Sequence, residues 1–492
     1  MAGVGIQLKK IYSKQTLTTN LIGFGYSLIL TIAPMLFVIA AMTGMQAILE
    51  VSKTGYAMRE LYAGTVLYIF IFSLLGASPF NSVISRYIAD VIYNEKYADI
   101  RPCYYTGMVL HILVCSLFVI PFCIHEHLVG KVDIWYVFAG YCGFMALLCV
   151  FYGMLFLSIC KVYGKITLFF LVGMSVTLLS SFILHRVFHW EVTFSMLVAL
   201  DIGFIIIALF EHSIICHYFE ENSGNYTGVL SYFVKYWKLM VANFMYTLGL
   251  YVHNFVFWIW GKPTVVAKSF VSMGSYDMAT FVALLINISS SIIFISRIEM
   301  HFSKHYKAYS EAVIGGRGVE IWSRKSRMFR QLSEELLNLV RIQFIISVIL
   351  YFITVIILPQ VGMGGMVMRI YPCLAVGYFV LFLMYAEIIF ENYFNDTTGA
   401  MLNAIVFMVV TVLGSCISVH LSEIWYGLGF VIGAVTGFCF GYFRLRWLEK
   451  NLDFHIFCDG TLLESGKGEK PSNLIFDRYH DVYPQKEEEE GN

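Results

Sequence analysis

Polar side chains that interrupt long apolar stretches are the residues of this chain whose type and position could do chemistry. Seven candidates for contact with a substrate are Asp201, Asn243, Tyr246, Asn254, Asp277, Glu387 and Glu391. Placing a charged group in hydrocarbon costs about 3 kcal/mol or more, so such groups normally face a cavity or a partner. For each of them we therefore consider two interpretations: contact with a polar or cationic substrate, and a structural contact within the protein.

Asp201 is the clearest case, because it lies in the middle of the apolar run Val192–Phe210. As a cavity carboxylate, it would take part in proton coupling or contact a cation. As a structural group, it would form a hydrogen bond between two helices. Both interpretations stay open from the sequence.

The run Leu239–Trp260 places Asn243, Tyr246 and Asn254 on one face of a predicted helix, and Asp277 begins the next apolar run. Amides and hydroxyls can bind the hydroxyls of a sugar, and aromatic rings can stack on its ring. The same residues would also serve as polar contacts between helices or as an aromatic belt at the membrane surface.

Two charged pairs are spaced by one helical turn. Glu387 and Glu391 repel each other unless a cation lies near them, which indicates either an entrance for a cationic substrate or a solvated helix end. Arg86 and Asp90 have opposite charges at the same spacing, so we predict a structural ion pair at the membrane surface.

Motifs for enzymatic chemistry are missing from the sequence. It contains no G-x-x-x-x-G-K-S/T phosphate loop, no H-E-x-x-H, and neither D-x-D nor Q-x-x-R-W, which a membrane sugar polymerase would use. His125-Glu126-His127 is a weak metal motif, and the 11 cysteines are scattered without a C-x-x-C pair. We predict a protein that is not an enzyme and that has no cofactor and no metal site.

The composition indicates the elements that must position these residues. The chain has 492 residues, of which 59% are hydrophobic and only 13% charged, and its mean hydropathy is +0.72. Such a chain is an integral membrane protein of the all-α class, because roughly 20 apolar residues are needed for each helical span. We predict about twelve spans near Leu21–Ile48, Leu61–Ile84, Tyr105–Ile124, Trp135–Leu157, Ile166–Leu184, Val192–Phe210, Leu239–Trp260, Met278–Ile295, Ile342–Leu358, Leu374–Ile389, Leu402–Val419 and Trp425–Tyr442.

The distribution of basic residues predicts the orientation. With the N-terminus inside, 26 of the 33 Lys and Arg residues fall on the inner side. We therefore predict a multi-pass protein of the cytoplasmic (inner) membrane with both termini in the cytoplasm.

The longest break between spans divides them into six and six, which is typical of a transporter with two lobes around a central cavity. We predict an N-lobe at 1–210, a linker at 211–238, a C-lobe at 239–443 and a polar cytoplasmic tail at 444–492. Residues 299–340 form a cytoplasmic amphipathic segment. It would lie on the inner leaflet or dock a partner, and its basic side is marked by Arg324, Lys325, Arg327 and Arg330.

Several segments are similar to the PelG family of inner-membrane transporters for Pel exopolysaccharide. They are Met1–Lys10, Ile84–Asp90 with Tyr93, Tyr246 with Phe257-Trp258, Tyr276–Phe281, and Glu299 with Phe302, Tyr306 and Tyr309. The resemblance covers nearly all of the first 450 residues. It implies the fold of the multidrug/oligosaccharidyl-lipid/polysaccharide (MOP) exporters, which include the MATE transporters, with two six-helix lobes facing a central cavity.

The resemblance also implies export of a hexosamine-rich, partly cationic polysaccharide for the biofilm matrix. Its implied partners are a cytoplasmic PelF-like glycosyltransferase, a PelD-like receptor for cyclic-di-GMP and a PelE-like membrane subunit. Three alternatives remain: a flippase for lipid-linked oligosaccharides, a cation-coupled drug exporter using Asp201, and a non-transporting scaffold that acts through the basic segment.

Overall fold

The computed structural model describes residues 17–160, 163–297, 302–315, 318–360 and 364–457. Met1–Lys10, Glu299 and the tail beyond residue 457, on which parts of the sequence interpretation rest, lie outside the described residues.

Within these residues the chain forms fourteen α-helices and one β-hairpin. The helices are α1 (Leu17–Ile48), α2 (Tyr56–Tyr93), α3 (Ile100–Leu128), α4 (Ile134–Cys160), α5 (Tyr163–Arg186), α6 (Val192–Tyr218), α7 (Gly228–Lys235), α8 (Trp237–Trp260), α9 (Gly274–Arg297), α10 (Ser303–Ile314), α11 (Gly318–Gln360), α12 (Met366–Tyr393), α13 (Thr397–Ser418) and α14 (Leu428–Phe457). Strands β1 (Thr264–Val266) and β2 (Phe270–Ser272) pair antiparallel, with Val265 opposite Val271.

Ten of the twelve predicted spans lie entirely inside a helix, and the last two are offset from α13 and α14 by up to three residues. In the described part of the chain, nine helices are long and apolar enough to cross a membrane, namely α2–α6 and α11–α14. Asn243, His253 and Asn254 lower the mean hydropathy of α8, although α8 also has the length of a span.

The long helices pack in two groups. Within the first group α5 and α4 both pack on α6, α1 packs on α5, and α2 packs on α4, around one shared core. In the second group α13 lies between α8 and α14, and α12 packs on α9 and α14. The groups meet where α2 contacts α8 and where α1 contacts α9.

A close helix contact in the second group depends on glycine. The backbones of α13 and α14 touch at Gly414 and Gly429, where a Cβ on either residue would overlap the other backbone. Small residues at such a crossing let two membrane helices approach closely and gain van der Waals contact.

The predicted amphipathic segment 299–340, which would lie on the inner leaflet or dock a partner, is largely helical within its described residues. Its second part is the beginning of α11, which continues without a break into a predicted span. The apolar side chains of Met328, Phe329 and Leu332 are buried against α10, α12 and α14. The protein itself covers these three residues, because α10, α12 and α14 supply apolar residues such as Tyr309, Phe390 and Leu448 at that end of the molecule. Val319 and Trp322, at the beginning of α11, are exposed.

The predicted linker 211–238 is partly helical. Helix α6 continues through its first residues to Tyr218, and α7 occupies 228–235.

Candidate functional site

Aromatic stacking joins the two helix groups along the contact between α2 and α8. The ring of Tyr68 stacks on Trp258 at 5.3 Å between centroids, and Phe72 stacks on Phe255 at 5.8 Å. Nearer the other end of the contact, the Asn243 amide donates to the backbone carbonyl of Ser78. The candidate residue Asn243 therefore lies on the surface where the two groups meet.

Asn254 and Asp277 are brought together in a hydrogen-bonded cluster. The Asp277 carboxylate accepts from Asn254 Nδ2 at 2.7 Å, from Trp258 Nε1 at 2.9 Å and from the backbone N–H of Met273 at 3.0 Å. These bonds tie α8 to the first turn of α9, where a carboxylate also interacts favourably with the helix dipole. The geometry indicates a structural contribution from Asp277, since its oxygens are already occupied by donors.

We expect Asp277→Ala to lower the free energy of unfolding by about 2–4 kcal/mol, because it leaves the buried Trp258 and Asn254 donors without their acceptor. Thermal unfolding of the purified protein in detergent measures this as a fall of several degrees in melting temperature. Asp277→Asn is the matched control, since its carbonyl oxygen can still accept one bond. An Asp277→Ala variant that melts with the wild type would show that the cluster contributes nothing.

Tyr246 belongs to a tyrosine cluster between α8 and α12. Its ring stacks on Tyr385 at 5.0 Å, and Tyr251 and Tyr378 lie beside it. The sequence interpretation named Tyr246 but missed its partners on α12. The available signal was the spacing of Tyr371, Tyr378 and Tyr385 at intervals of seven residues, which puts them on one face of that helix. Phenol rings can stack on the faces of a sugar ring, and their hydroxyl groups can form hydrogen bonds with the hydroxyl groups of the sugar.

Glu387 and Glu391 are both fully buried in the second helix group. Glu387 packs against Gly441 of α14, where a Cβ would overlap the carboxylate, and Asn403 of α13 faces the pair. Among the described side chains none forms a hydrogen bond of normal geometry with either carboxylate. The pair is enclosed by protein in this conformation, so it is neither a solvated helix end nor open to a substrate.

Asp201 is also enclosed. It is only 5% exposed and packs against Gly143 of α4, where a side chain would overlap its carboxylate. Ten residues further along α6, the fully buried Glu211 packs in the same way against Gly153. Sequence reasoning missed Glu211 because the apolar run ends at Phe210, so that Glu211 was assigned to the linker 211–238.

Arg86 and Asp90 lie side by side near the end of α2. Arg86 Nε is 3.7 Å from Asp90 Oδ1, and the Tyr232 hydroxyl donates to Asp90 Oδ2 at 3.2 Å. The Arg86 guanidinium also lies 5.6 Å from the centroid of the Tyr236 ring. Together these contacts join α2 to the short helix α7 and to the residue that precedes α8.

The four basic residues of the candidate docking segment divide into two kinds. Lys325 points inward and its ammonium is 2.7 Å from Asp453 Oδ2 on α14. Arg324, Arg327 and Arg330 are exposed and follow one another at intervals of three residues, so they share one face of α11. These three residues are called the arginine face below.

The weak metal motif does not converge on one point. His125 Nδ1 is 3.8 Å from Glu126 Oε1, whereas His127 Nδ1 lies 3.0 Å from the Val132 carbonyl oxygen. Within the described ranges, no group of three or more His, Cys, Asp or Glu side chains could hold a metal ion.

Comparison with known structures shows the fold. The chain is similar to a structure described as an inward-facing conformation of a multidrug resistance MATE family transporter of the MOP superfamily, with a TM-score of 0.58 and 13% identity over 85% of this chain and 96% of that one. It is also similar to MATE in complex with MaL6, with a TM-score of 0.57 and 13% identity over 86% and 97%. A MOP superfamily transporter from Pyrococcus furiosus matches with a TM-score of 0.56 and 12% identity over 87% and 96%.

Comparison of sequences gives the family. No protein of curated function matches the chain significantly. The profile of one family, described as "PelG: Putative exopolysaccharide Exporter (EPS-E)", matches residues 1–457. The chain is therefore a multi-pass membrane protein that has the fold of the MATE and MOP transporters and belongs to the PelG family of exopolysaccharide exporters.

Proposed function

We propose that the protein translocates a Pel-like hexosamine exopolysaccharide across the cytoplasmic membrane, as part of a synthase-dependent secretion complex for the biofilm matrix. The observation that carries this proposal is the family match over residues 1–457. The missing polymerase motifs support it, because a conduit needs the polymer to be made by another protein.

The proposed architecture has two six-helix lobes around a central cavity. The first lobe is α1–α6, and the second consists of α8, α9 and α11–α14. The contact of α2 with α8 would be the surface along which the lobes separate, because it joins the two groups, through two ring stacks and the hydrogen bond of Asn243 among other contacts. Both termini would be cytoplasmic, as the distribution of Lys and Arg indicates.

The proposed polymer contacts are Tyr246 with Tyr385, and Asn243 beside them on α8. Stacked phenol rings suit hexosamine rings, and the amide suits their hydroxyls. Asp201, Glu387 and Glu391 would contact a cationic polymer only after the helices around them part, since all three are buried. Asn254 and Asp277 would hold α8 and α9 in place rather than touch the polymer.

The partners that we propose are a PelF-like cytoplasmic glycosyltransferase, a PelD-like receptor for cyclic-di-GMP and a PelE-like subunit. The arginine face, formed by Arg324, Arg327 and Arg330, would dock an acidic surface of one of them. Elongation by the glycosyltransferase would supply the push that moves the polymer.

The experiment that tests this function measures secreted hexosamine polymer in a strain that lacks the protein but keeps the glycosyltransferase. We expect extracellular polymer to disappear and to return with the intact gene. Unchanged secretion, together with increased sensitivity to toxic cations, would favour a drug exporter instead.

The buried carboxylate of Asp201 is the observation that favours the second candidate, a cation-coupled exporter. An exporter that uses Asp201 for coupling would lose transport in Asp201→Asn, whereas a conduit pushed by its synthase would keep it. We expect Asp201→Asn to reduce secreted polymer by less than about twofold, because the asparagine fills the same space beside Gly143. Loss of more than about tenfold, at unchanged protein level, would contradict the conduit.

A further inference from the structure

A cavity of about 640 Å³ lies between α2, α3, α4 and the first turns of α8, and Phe270 of β2 closes one side. Its wall on α2 extends from Thr65 to Phe80, which corresponds to about 22 Å along a helix that rises 1.5 Å per residue. The cavity is therefore long and narrow, and it follows the direction of the membrane-spanning helices. None of the seven candidate substrate residues is among those that line it.

The chemistry of the wall excludes a sugar as its occupant. Most of the lining is aromatic or aliphatic, and it includes Phe72, Phe80, Phe122, Phe144 and Phe244. A sugar ring with several hydroxyls needs matching donors and acceptors, since a buried polar group without a partner is destabilising.

The hydroxyl groups in the described part of this wall already have protein partners. Thr65 Oγ1 donates to the Leu61 carbonyl at 2.8 Å and accepts from the Tyr136 hydroxyl at 3.3 Å. The Tyr68 hydroxyl donates to the carbonyl of Val271 at 2.9 Å and accepts from its N–H at 3.0 Å. The Tyr141 hydroxyl is 3.0 Å from Ser116 Oγ. Hydrocarbon is the chemistry that matches such a surface.

The second half of α3 leaves a way into the cavity from the side. Between Cys115 and Glu126 none of its residues is buried, although the first half of the helix packs well. Phe118 lines the cavity and is nevertheless 70% exposed, so it lies at the opening. In a membrane-spanning helix, an exposed phenylalanine faces the lipid chains, and the cavity is therefore open to the bilayer.

One end of the cavity indicates which lipid fits. Glu126, at the last turn of α3, is one of the lining residues there, next to Val132, and its side chain is buried. A carboxylate at this end of the cavity would repel the diphosphate of an isoprenoid carrier, whereas it would attract the ammonium group of a zwitterionic phospholipid.

We propose that this cavity binds one acyl chain of a membrane phospholipid, which enters beside Phe118 and lies between α3 and the rest of the first helix group. The acyl chain fills a space that the protein's own side chains leave empty. It also packs against the loosely packed second half of α3.

The test compares lipid retained by purified variants in mild detergent. Val119→Trp fills the cavity from α3, and Leu117→Trp is the matched control, because Leu117 is on the same helix but is not among the lining residues. Gly140→Leu fills the cavity from α4, where a Cβ has ordinary room. Size-exclusion profiles and melting temperatures identify any variant that does not fold.

We expect the wild type and Leu117→Trp to retain one more phospholipid per chain than Val119→Trp and Gly140→Leu, as measured by mass spectrometry of extracted lipid. Equal phospholipid retention in all four proteins would overturn the proposal. Selective loss of an isoprenoid phosphate, or displacement of the lipid by hexosamine oligomers, would also overturn it by naming another occupant. The experiment needs no export activity, so its failure would leave the proposed transport function untouched.

Discussion

Arg444→Gln is expected to lower the free energy of unfolding by about 3 kcal/mol or more, because it leaves a buried carboxylate without its cation. Arg444 of α14 holds the Asp396 carboxylate with two hydrogen bonds, from Nε at 2.5 Å and from Nη2 at 2.9 Å. The side chain of Asp396 is only 2% exposed, whereas that of Arg444 is 27% exposed. Water therefore solvates the arginine, but it solvates the Asp396 carboxylate poorly when the arginine is removed.

Asp396 also caps the N-terminus of α13. Its Oδ1 accepts from the Gly399 N–H at 2.9 Å. Asparagine caps a helix about as well as aspartate but carries no charge. The double variant Arg444→Gln with Asp396→Asn should therefore recover much of the stability that the single variant Arg444→Gln loses.

The measurement is the amount of folded protein in membranes, followed by thermal unfolding of the purified variants. Arg444→Lys is the conservative control, since it keeps the charge but not the paired bonds, and we expect an intermediate effect. Wild-type stability of Arg444→Gln would show that the ion pair contributes nothing. A double variant as unstable as the single one would show that the loss comes from packing of Arg444 on Trp447, which lies 4.3 Å from the guanidinium.

The helices could be predicted from the sequence because each span needs a long apolar run, and that requirement is local. Ten of the twelve predicted spans fall entirely inside helices of the structure. The family resemblance was also contained in local motifs, and the profile match over residues 1–457 confirms it.

The environment of a polar residue could not be predicted, because it depends on which helix lies opposite. Asp277 and Glu387 have the same kind of carboxylate, but Asp277 faces Trp258 and Asn254, whereas Glu387 faces Gly441. Glu211 begins the predicted linker, yet Gly153 on α4 makes space for its side chain inside the protein. These differences arise from pairs of residues far apart in the sequence.

The surroundings of the apolar residues in the amphipathic segment could not be predicted from the sequence either. The amphipathic pattern correctly indicates a helix, and Met328, Phe329 and Leu332 of that helix are buried. The pattern carries no information about whether its apolar residues meet lipid or protein, because both are apolar. The structure supplies the answer through α10, α12 and α14, and it also leaves the arginine face turned outward.

We expect reversal of the arginine face, in the triple variant Arg324→Glu, Arg327→Glu and Arg330→Glu, to reduce secreted polymer by about tenfold or more while the protein remains folded. The proposed partner surface is acidic, so three reversed charges replace attraction by repulsion, and like charges at an interface cost several kcal/mol. The side chains are exposed, so the helix itself should tolerate the change.

The matched control is Lys304→Glu with Lys307→Glu and Lys450→Glu, which reverses three exposed charges on α10 and α14 at the same end of the molecule. We expect this control to secrete polymer at a level within about twofold of the wild type. Secretion, abundance in the membrane and co-purification of the glycosyltransferase are measured together for both triple variants. Normal secretion by the arginine-face variant would show that α11 does not dock a partner through these three residues. If both triple variants fail equally, the net charge of this end matters and not the arginine face.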